Sequence, residues 1–157
     1  MVSRKLQFRI AIPAFIFLIV LMFPFSYIHE LGHASVCAAE GNTFEITVNL
    51  NGGQMICHNE VENFTLYKIM GGTLAMVIAS MPFLFYNKIK KYPFVIIAFG
   101  VLAIGHGLNA VIETMLFDSY IENTQTLAMM FGMINFFIFI ALCLKFSKKE
   151  MRFRNVA

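Results

Sequence analysis

The sequence predicts an all-α membrane protein with about four transmembrane helices and a short β-hairpin after the first helix. The 157 residues are 59% hydrophobic and only 13% charged, and their mean hydropathy is +0.72. Apolar runs long enough to cross a bilayer recur along the chain, and one short segment alternates apolar and polar residues instead. A soluble domain of this size could not bury eighteen Phe and eleven Met, so we expect one integral membrane domain over residues 1–157.

The first predicted crossing covers residues 10–39. Basic residues precede its apolar run, as in a signal peptide, but the run is too long for one, so we expect a retained helix that continues to about Ala39. The other apolar runs predict crossings at residues 66–86, 93–117 and 125–144.

A hairpin is predicted at about residues 44–58. Phe44, Ile46 and Val48 alternate with polar residues, which is strand periodicity, and Asn51-Gly52 is a strong signal for a two-residue turn. Three cysteines are too few for a disulfide framework. Cys37 and Cys57 could pair in an oxidising compartment, but we expect free buried thiols.

The distribution of charge predicts the topology. Nearly all Lys and Arg lie in the N-terminus, the 87–91 loop and the C-terminal tail, whereas residues 40–65 and 118–124 contain none. The positive-inside rule then puts both termini in the cytoplasm and the hairpin outside, which fits a prokaryotic plasma membrane. Because the net charge of +3 is spread over short loops, we expect the lipid bilayer and no nucleic acid as a partner.

A short motif near the outer end of the first crossing carries the chemistry. His29-Glu30-Leu31-Gly32-His33 reads H-E-x-x-H. Two histidines four residues apart share one helix face, where both imidazoles reach one Zn²⁺ while the adjacent glutamate serves as general base. The alternative is a pair of interfacial histidines with a solvated glutamate. Because His and Glu are depleted in apolar helices, the context favours the metal site.

A catalytic zinc site needs a third protein ligand, and depth in the membrane selects the candidates. At ~1.5 Å per residue, His29 and His33 lie about 28–35 Å along the first crossing, near the outer boundary of the hydrocarbon core. Glu113 lies 20 residues into the third crossing, at the same level, and is the only acid there. Asp118 is the second candidate, and a role as a loop acid or helix cap is equally open for it.

Two further polar residues share a helical face with Glu113. Asn109 lies one turn before it, and we expect the amide to orient a ligand or to stabilise an oxyanion. His106 lies two turns before Glu113, ~10 Å along the axis, which is too far for both to bind one ion. For His106, a hydrogen bond to a ligand and a packed polar contact remain alternatives.

Together these features resemble the site-2 protease family of intramembrane zinc metalloproteases. The resemblance covers roughly residues 25–82, and H-E-L-G-H is its most specific part. The sequences that carry it are His29-Glu30-Leu31-Gly32-His33-Ala34, Gly41 with the β-like segment after it, Gly52-Gly53, and Gly71-Gly72-Thr73.

The resemblance implies a three-helix catalytic core, a zinc cofactor, and an Asp in a Leu-Asp-Gly sequence as third ligand. This chain has no Leu-Asp-Gly, and Phe117-Asp118-Ser119 comes nearest to it. The family pattern therefore favours Asp118, whereas depth favours Glu113, and we rank Glu113 first. The predicted topology also differs from that of many family members, which cut nearer the cytoplasm.

We therefore expect a zinc metalloprotease that hydrolyses peptide bonds of membrane-spanning or membrane-associated substrates. A Zn²⁺ ion held by His29, His33 and either Glu113 or Asp118 would lower the pKa of a bound water toward ~7. Glu30 would then take the proton of that water. The hairpin offers an edge strand for an unwound substrate segment, or a lid over the site.

Three other functions stay open on the sequence. A non-catalytic scaffold or chaperone that retained the motif would tolerate Glu30→Gln. A metal transporter should offer ligands along a path across the membrane, and only His106 lies deeper than the motif. A zinc hydrolase of lipids or lipidated peptides would use the same residues, because H-E-x-x-H activates water without selecting the bond. Neither the substrate nor the oligomeric state can be read from the sequence.

Overall fold

The computed structural model describes residues 4–49, 52–116 and 124–154. Among these residues, four helical segments are long and apolar enough to cross a membrane, and a two-stranded hairpin follows the first of them, which confirms the predicted fold class. In chain order the elements are α1 (Arg4–Ala39), β1 (Phe44–Asn49), β2 (Gly52–Cys57), α2 (Phe64–Ser80), a 3₁₀ helix (Met81–Phe85), α3 (Tyr86–Ile89), α4 (Pro93–Met115) and α5 (Thr124–Arg154).

The helix ends follow from local chemistry. α1 ends where Gly41 takes φ +79°, a conformation that glycine adopts without strain, and the Gly41 N–H donates to the carbonyl of Ala38. The second crossing was expected as one helix to residue 86, but α2 gives way to the 3₁₀ turn at Met81, next to Pro82, which has no N–H to donate. The third crossing was expected to reach residue 117, and α4 ends at Met115.

The hairpin packs against the C-terminal end of α1. β1 and β2 are antiparallel, with Phe44 opposite Cys57 and Asn49 opposite Gly52. The Met55 side chain is buried with Ala34 and Cys37 of α1. This register also brings Cys57 to Cys37, with 6.0 Å between their Cα atoms, and the two form a disulfide. The expectation of free thiols was therefore wrong for this pair, because proximity of the thiols depends on where the hairpin folds back.

Close backbone contacts hold α2 between α1 and α4. A Cβ on Gly72 would lie 2.5 Å from the backbone nitrogen of Ala110 in α4, and one on Gly32 would collide with the Met70 carbonyl in α2. The absence of side chains at Gly32 and Gly72 thus lets α1 and α4 approach α2 closely. At the start of α2, the Glu40 carboxylate accepts hydrogen bonds from the backbone N–H groups of Glu62 and Asn63, at 2.8 and 2.9 Å.

Two apolar clusters hold the remaining helices. One joins α1, α2 and α4 below the metal-ligand candidates and contains Phe25, Ala75, Ala79 and Leu102. The other joins α1, α4 and α5 nearer the N-terminal end of α1 and contains Ile10, Ala14, Ile97, Val101, Phe139 and Cys143. α5 therefore packs against both α1 and α4.

Candidate metal centre

Three predicted ligands from two helices converge at the end of the bundle that carries the hairpin. His29 and His33 lie one turn apart on α1, and Glu113 lies in the last turn of α4. One ligand atom of each lies within 4.8 Å of the others, and all three residues are buried. Nε2 of His29 is 3.2 Å from Nε2 of His33 and 3.3 Å from Oε1 of Glu113. The group could hold a metal ion.

His33 is held in one ring orientation. Its Nδ1 lies 2.7 Å from the backbone carbonyl of Tyr67 in α2. Because a carbonyl only accepts, Nδ1 carries the hydrogen, and Nε2 keeps its lone pair for a metal in the neutral ring. The Tyr67 ring also lies 5.0 Å from the His33 ring. Sequence reasoning missed Tyr67, and a backbone carbonyl gives no sequence signal.

Aromatic packing holds His29. Its ring lies 4.9 Å from the His33 ring and 5.6 Å from that of His106, which in turn stacks on Phe25 at 5.9 Å. The buried Nδ1 of His29 has no hydrogen-bond partner within the described part of the chain. Of the two alternatives for His106, the structure shows the packed contact.

Asn109 positions Glu113. Its side-chain amide donates a 2.8 Å hydrogen bond to Oε1 of Glu113, one turn further along α4. The other oxygen, Oε2, is buried, lies 3.8 Å from Nε2 of His33, and has no hydrogen-bond partner among the described residues. A buried carboxylate oxygen with a free lone pair is costly unless a cation or donor compensates it. This oxygen therefore faces the metal-ligand candidates with unused acceptor capacity.

Comparisons of the chain with protein-family models, with curated proteins and with solved structures find no match. The chemistry of the site therefore rests on its own geometry.

The hairpin supports Glu30. A Cβ on Gly53 of β2 would lie 2.6 Å from Cγ and 2.8 Å from Oε1 of Glu30, so only glycine allows the strand to approach this closely. The backbone of Met55 hydrogen-bonds the Glu30 carboxylate, which also interacts electrostatically with His29 and Glu113. Glu30 is only 9% exposed, although its side chain carries an ionisable carboxyl group.

Gly71 leaves space for the metal-ligand candidates. A Cβ at this position would collide with the imidazole of His33. Sequence reasoning missed this role of Gly71 beside His33.

The predicted site residues have two outcomes. His29, Glu30, His33 and Glu113 come together with Asn109, as the helical spacing and depth indicated. Asp118 lies outside the described residues. His58, which is not one of the predicted ligands, lies in the hairpin region 3.5 Å from the exposed carboxylate of Glu45.

Proposed function

We propose that this protein is a zinc-dependent intramembrane metalloprotease of the site-2 protease type. The observation that carries the proposal is the convergence of His29, His33 and Glu113 beside Glu30 at one end of helices apolar enough to span a membrane. Two histidines and one glutamate are a ligand set of catalytic zinc sites, in which the fourth position is left to water or substrate.

The spacing of the ligand atoms supports zinc. Nitrogen and oxygen ligands lie ~2.0–2.2 Å from zinc, so two ligands of a tetrahedral site are about 3.3–3.6 Å apart. Nε2 of His29 lies 3.2 Å from Nε2 of His33 and 3.3 Å from Oε1 of Glu113, whereas the 3.8 Å separation of Glu113 from Nε2 of His33 involves the other carboxylate oxygen, Oε2. The mixed imidazole and carboxylate donors also suit zinc better than calcium or magnesium, which take oxygen ligands.

Glu30 would carry the proton in peptide hydrolysis. A bound zinc ion supplies Lewis acidity, which makes water acidic enough to ionise near neutral pH and polarises a carbonyl. Glu30 takes the proton of the attacking water and returns it to the amine nitrogen as the C–N bond breaks. Met55 and Gly53 hold the carboxylate in place for this transfer. Asn109 holds Glu113, and its amide is also our candidate for an oxyanion donor.

The hairpin would receive the substrate. A transmembrane helix must unwind before its peptide bonds can be attacked, because its carbonyls accept hydrogen bonds within the helix. Within the described chain, β1 and β2 pair only with each other, so each has an edge that can add a strand. β2 also lies against Glu30, so a segment added at the hairpin would lie close to the general base.

We further propose that both termini face the cytoplasm and the hairpin faces outside, in a prokaryotic plasma membrane. Residues 40–65 contain no Lys or Arg. The Cys37–Cys57 disulfide lies at this end of the molecule, and disulfides persist in oxidising compartments. Charge and cysteine chemistry thus support the same orientation independently.

Metal analysis of the detergent-purified protein tests the proposal. We expect about one zinc per chain in wild type, and loss of that zinc in His33→Ala and Glu113→Ala. Asp118→Ala should keep its zinc, and zinc loss there instead of in Glu113→Ala would transfer the third-ligand role to Asp118. If wild-type protein purified without chelators contains no zinc, the proposal is overturned.

Glu30→Gln separates catalysis from metal binding. It should keep its zinc, because Glu30 is not one of the ligands, and lose hydrolysis of a transmembrane substrate. A variant that keeps both zinc and full physiological function would favour the scaffold reading, in which the motif has no catalytic role.

A further inference from the structure

A cavity of about 480 Å³ lies beside the metal-ligand candidates, between α1, α4 and α5. Most of its lining is apolar, and polar side chains come only from Ser26, His106, Asn109 and Asn135. We propose that this cavity binds an acyl chain carried by the substrate. The identification of the bound molecule as a substrate rests on the proposed function. The cavity and the chemistry of its lining do not depend on the metal.

The cavity opens toward the lipid side of the bundle. Three large apolar side chains in its wall, Phe15, Met22 and Phe136, are more than half exposed, although they lie in membrane-spanning helices. In a bilayer, such exposed faces meet lipid tails. The occupant can therefore enter sideways from the membrane, without passing through water.

One end of the cavity reaches the metal-ligand candidates. Asn109 lines the cavity and donates to Glu113, and His106 lines it while its ring lies 5.6 Å from that of His29. The cavity wall is therefore continuous from His106 and Asn109, beside the metal-ligand candidates, to the apolar side chains that line the rest. A molecule lying in the cavity would place its outer end at the metal ligands and its length among apolar side chains.

The cavity is too narrow for an α-helix. Its lining residues span eight residue steps on α4, from Val101 to Asn109, and eleven on α1, from Phe15 to Ser26. At ~1.5 Å per residue these spans are about 12 and 16 Å. A volume of 480 Å³, which is the space open to the centre of a water molecule, then gives a mean cross-section of about 30–40 Å². The ~1.4 Å radius of water widens the cavity to about 9–10 Å across, which is still below the ~10–12 Å diameter of a helix with its side chains.

An extended peptide fits by width but not by chemistry. A strand of ~3.3 Å per residue would place four or five residues in the cavity, with about eight to ten backbone polar groups. Four lining side chains carry polar atoms, and Asn109 already uses one donor on Glu113. Most backbone groups would therefore stay unsatisfied in an apolar environment, at a cost of several kcal/mol each. An acyl chain is narrow and has no such groups to satisfy.

The chemistry therefore identifies a lipid-modified polypeptide as the substrate class. Its acyl chain lies between α1, α4 and α5, and its polar end meets Asn109 and the metal ligands. Hydrolysis of a peptide bond near the acylated residue then follows the mechanism above without further groups.

Photolabelling tests the cavity. The probe is a short peptide with an amide-linked palmitoyl chain that carries a diazirine near its middle, incubated with zinc-loaded Glu30→Gln protein so that no turnover occurs. We expect mass spectrometry to find the label on the parts of α1, α4 and α5 that line the cavity. In that background, Gly132→Leu should reduce labelling at least fivefold, because Gly132 lines the cavity, a Cβ there meets no atom within 4 Å, and the rest of the leucine side chain would fill part of the cavity. Gly132→Ala is the matched control, and both variants should keep their zinc.

Competition identifies the source of the occupant. Excess unlabelled acylated peptide should remove the label, and the same peptide without its acyl chain should not. Equal competition by the unacylated peptide would overturn the acyl site in favour of an extended peptide. Equal competition by a phospholipid would overturn the assignment to substrate in favour of ordinary bilayer lipid. If Gly132→Leu leaves the labelling unchanged, the assignment of the acyl chain to this cavity is overturned.

The same labelling in His33→Ala, which should lack zinc, separates the two proposals. A labelled but metal-free protein would uphold the acyl site. If the wild-type protein binds no zinc but is still labelled, the protease proposal alone is overturned.

Discussion

The amide nitrogen of Asn109 lies 2.8 Å from Oε1 of Glu113, one turn away on α4. The hydrogen bond fixes the carboxylate at the level of His29 and His33, which belong to a different helix. Glu113 therefore reaches the other metal-ligand candidates in an orientation set before any ion binds.

Removal of this hydrogen bond should weaken the metal site. We expect Asn109→Ala to reduce zinc affinity about 10–100-fold, as is usual when a partner that orients a ligand is lost. Competition with a chromophoric chelator measures the change. Thr114→Ala is the control, since Thr114 donates only to the Ala110 carbonyl of its own helix. Equal affinities in Asn109→Ala and wild type would show that Glu113 needs no support.

A methyl group at Gly71 should disrupt the site without changing any ligand. Gly71→Ala places its Cβ against the His33 imidazole, so the ring must leave its position, and we expect zinc content well below that of wild type. The matched control is Gly132→Ala, whose Cβ meets no atom within 4 Å. Metal analysis of both purified variants checks the prediction, and full zinc in Gly71→Ala would contradict the observed packing.

Metal removal should lower thermal stability. An ion bound only by the folded state stabilises it by ~2.7 kcal/mol when present at 100 times its Kd. Chelation should therefore lower Tm in wild type, and zinc should restore it, because His29, His33 and Glu113 tie α1 to α4 through the ion. His33→Ala should show no zinc-dependent shift, whereas His58→Ala, which changes an exposed histidine of the hairpin region, should respond like wild type.

Loss of the disulfide should affect catalysis more than metal binding. The Cys37–Cys57 bond joins residues 20 positions apart and should contribute about 3 kcal/mol to stability. Cys57→Ser frees β2, which supports Glu30, whereas the metal ligands lie on α1 and α4. We expect hydrolysis to fall at least tenfold while zinc stays bound. Cys143→Ser, at the free buried cysteine, is the control. A parallel loss of zinc and activity would show that the hairpin holds the whole site together.

Depth along the helices was sufficient to select Glu113 as the third metal-ligand candidate beside the two histidines of the H-E-x-x-H motif. His29 and His33 lie as far from the start of the first crossing as Glu113 does from the start of the third, and the structure brings the three together. This reasoning works because transmembrane helices are nearly parallel and rise by a fixed amount per residue. Asp118 lies outside the described residues, so the family-based alternative stays a prediction.

Features that depend on contact between distant segments escaped prediction. His106 was evaluated only against Glu113 on its own helix, yet it packs against His29 of α1. Cys37 and Cys57 pair because the hairpin folds back on α1, and the cavity beside α5 exists only once three helices have packed. Periodicity describes one helix at a time and carries no information about such neighbours.

Gly71 and Gly72 give α2 a function that none of its side chains could provide. Successive residues of a helix point ~100° apart, so the pair faces the His33 ring on α1 and the backbone of Ala110 on α4 at once. The bare backbone of α2 thus acts as a spacer of fixed thickness between the two helices that bear the ligands. Such a spacer resists expansion, and we expect the opening between imidazole and carboxylate to admit an ion with short bonds more readily than one such as calcium, which needs ~2.3–2.6 Å to each ligand. Selectivity by size would then reside in a helix that contributes no ligand.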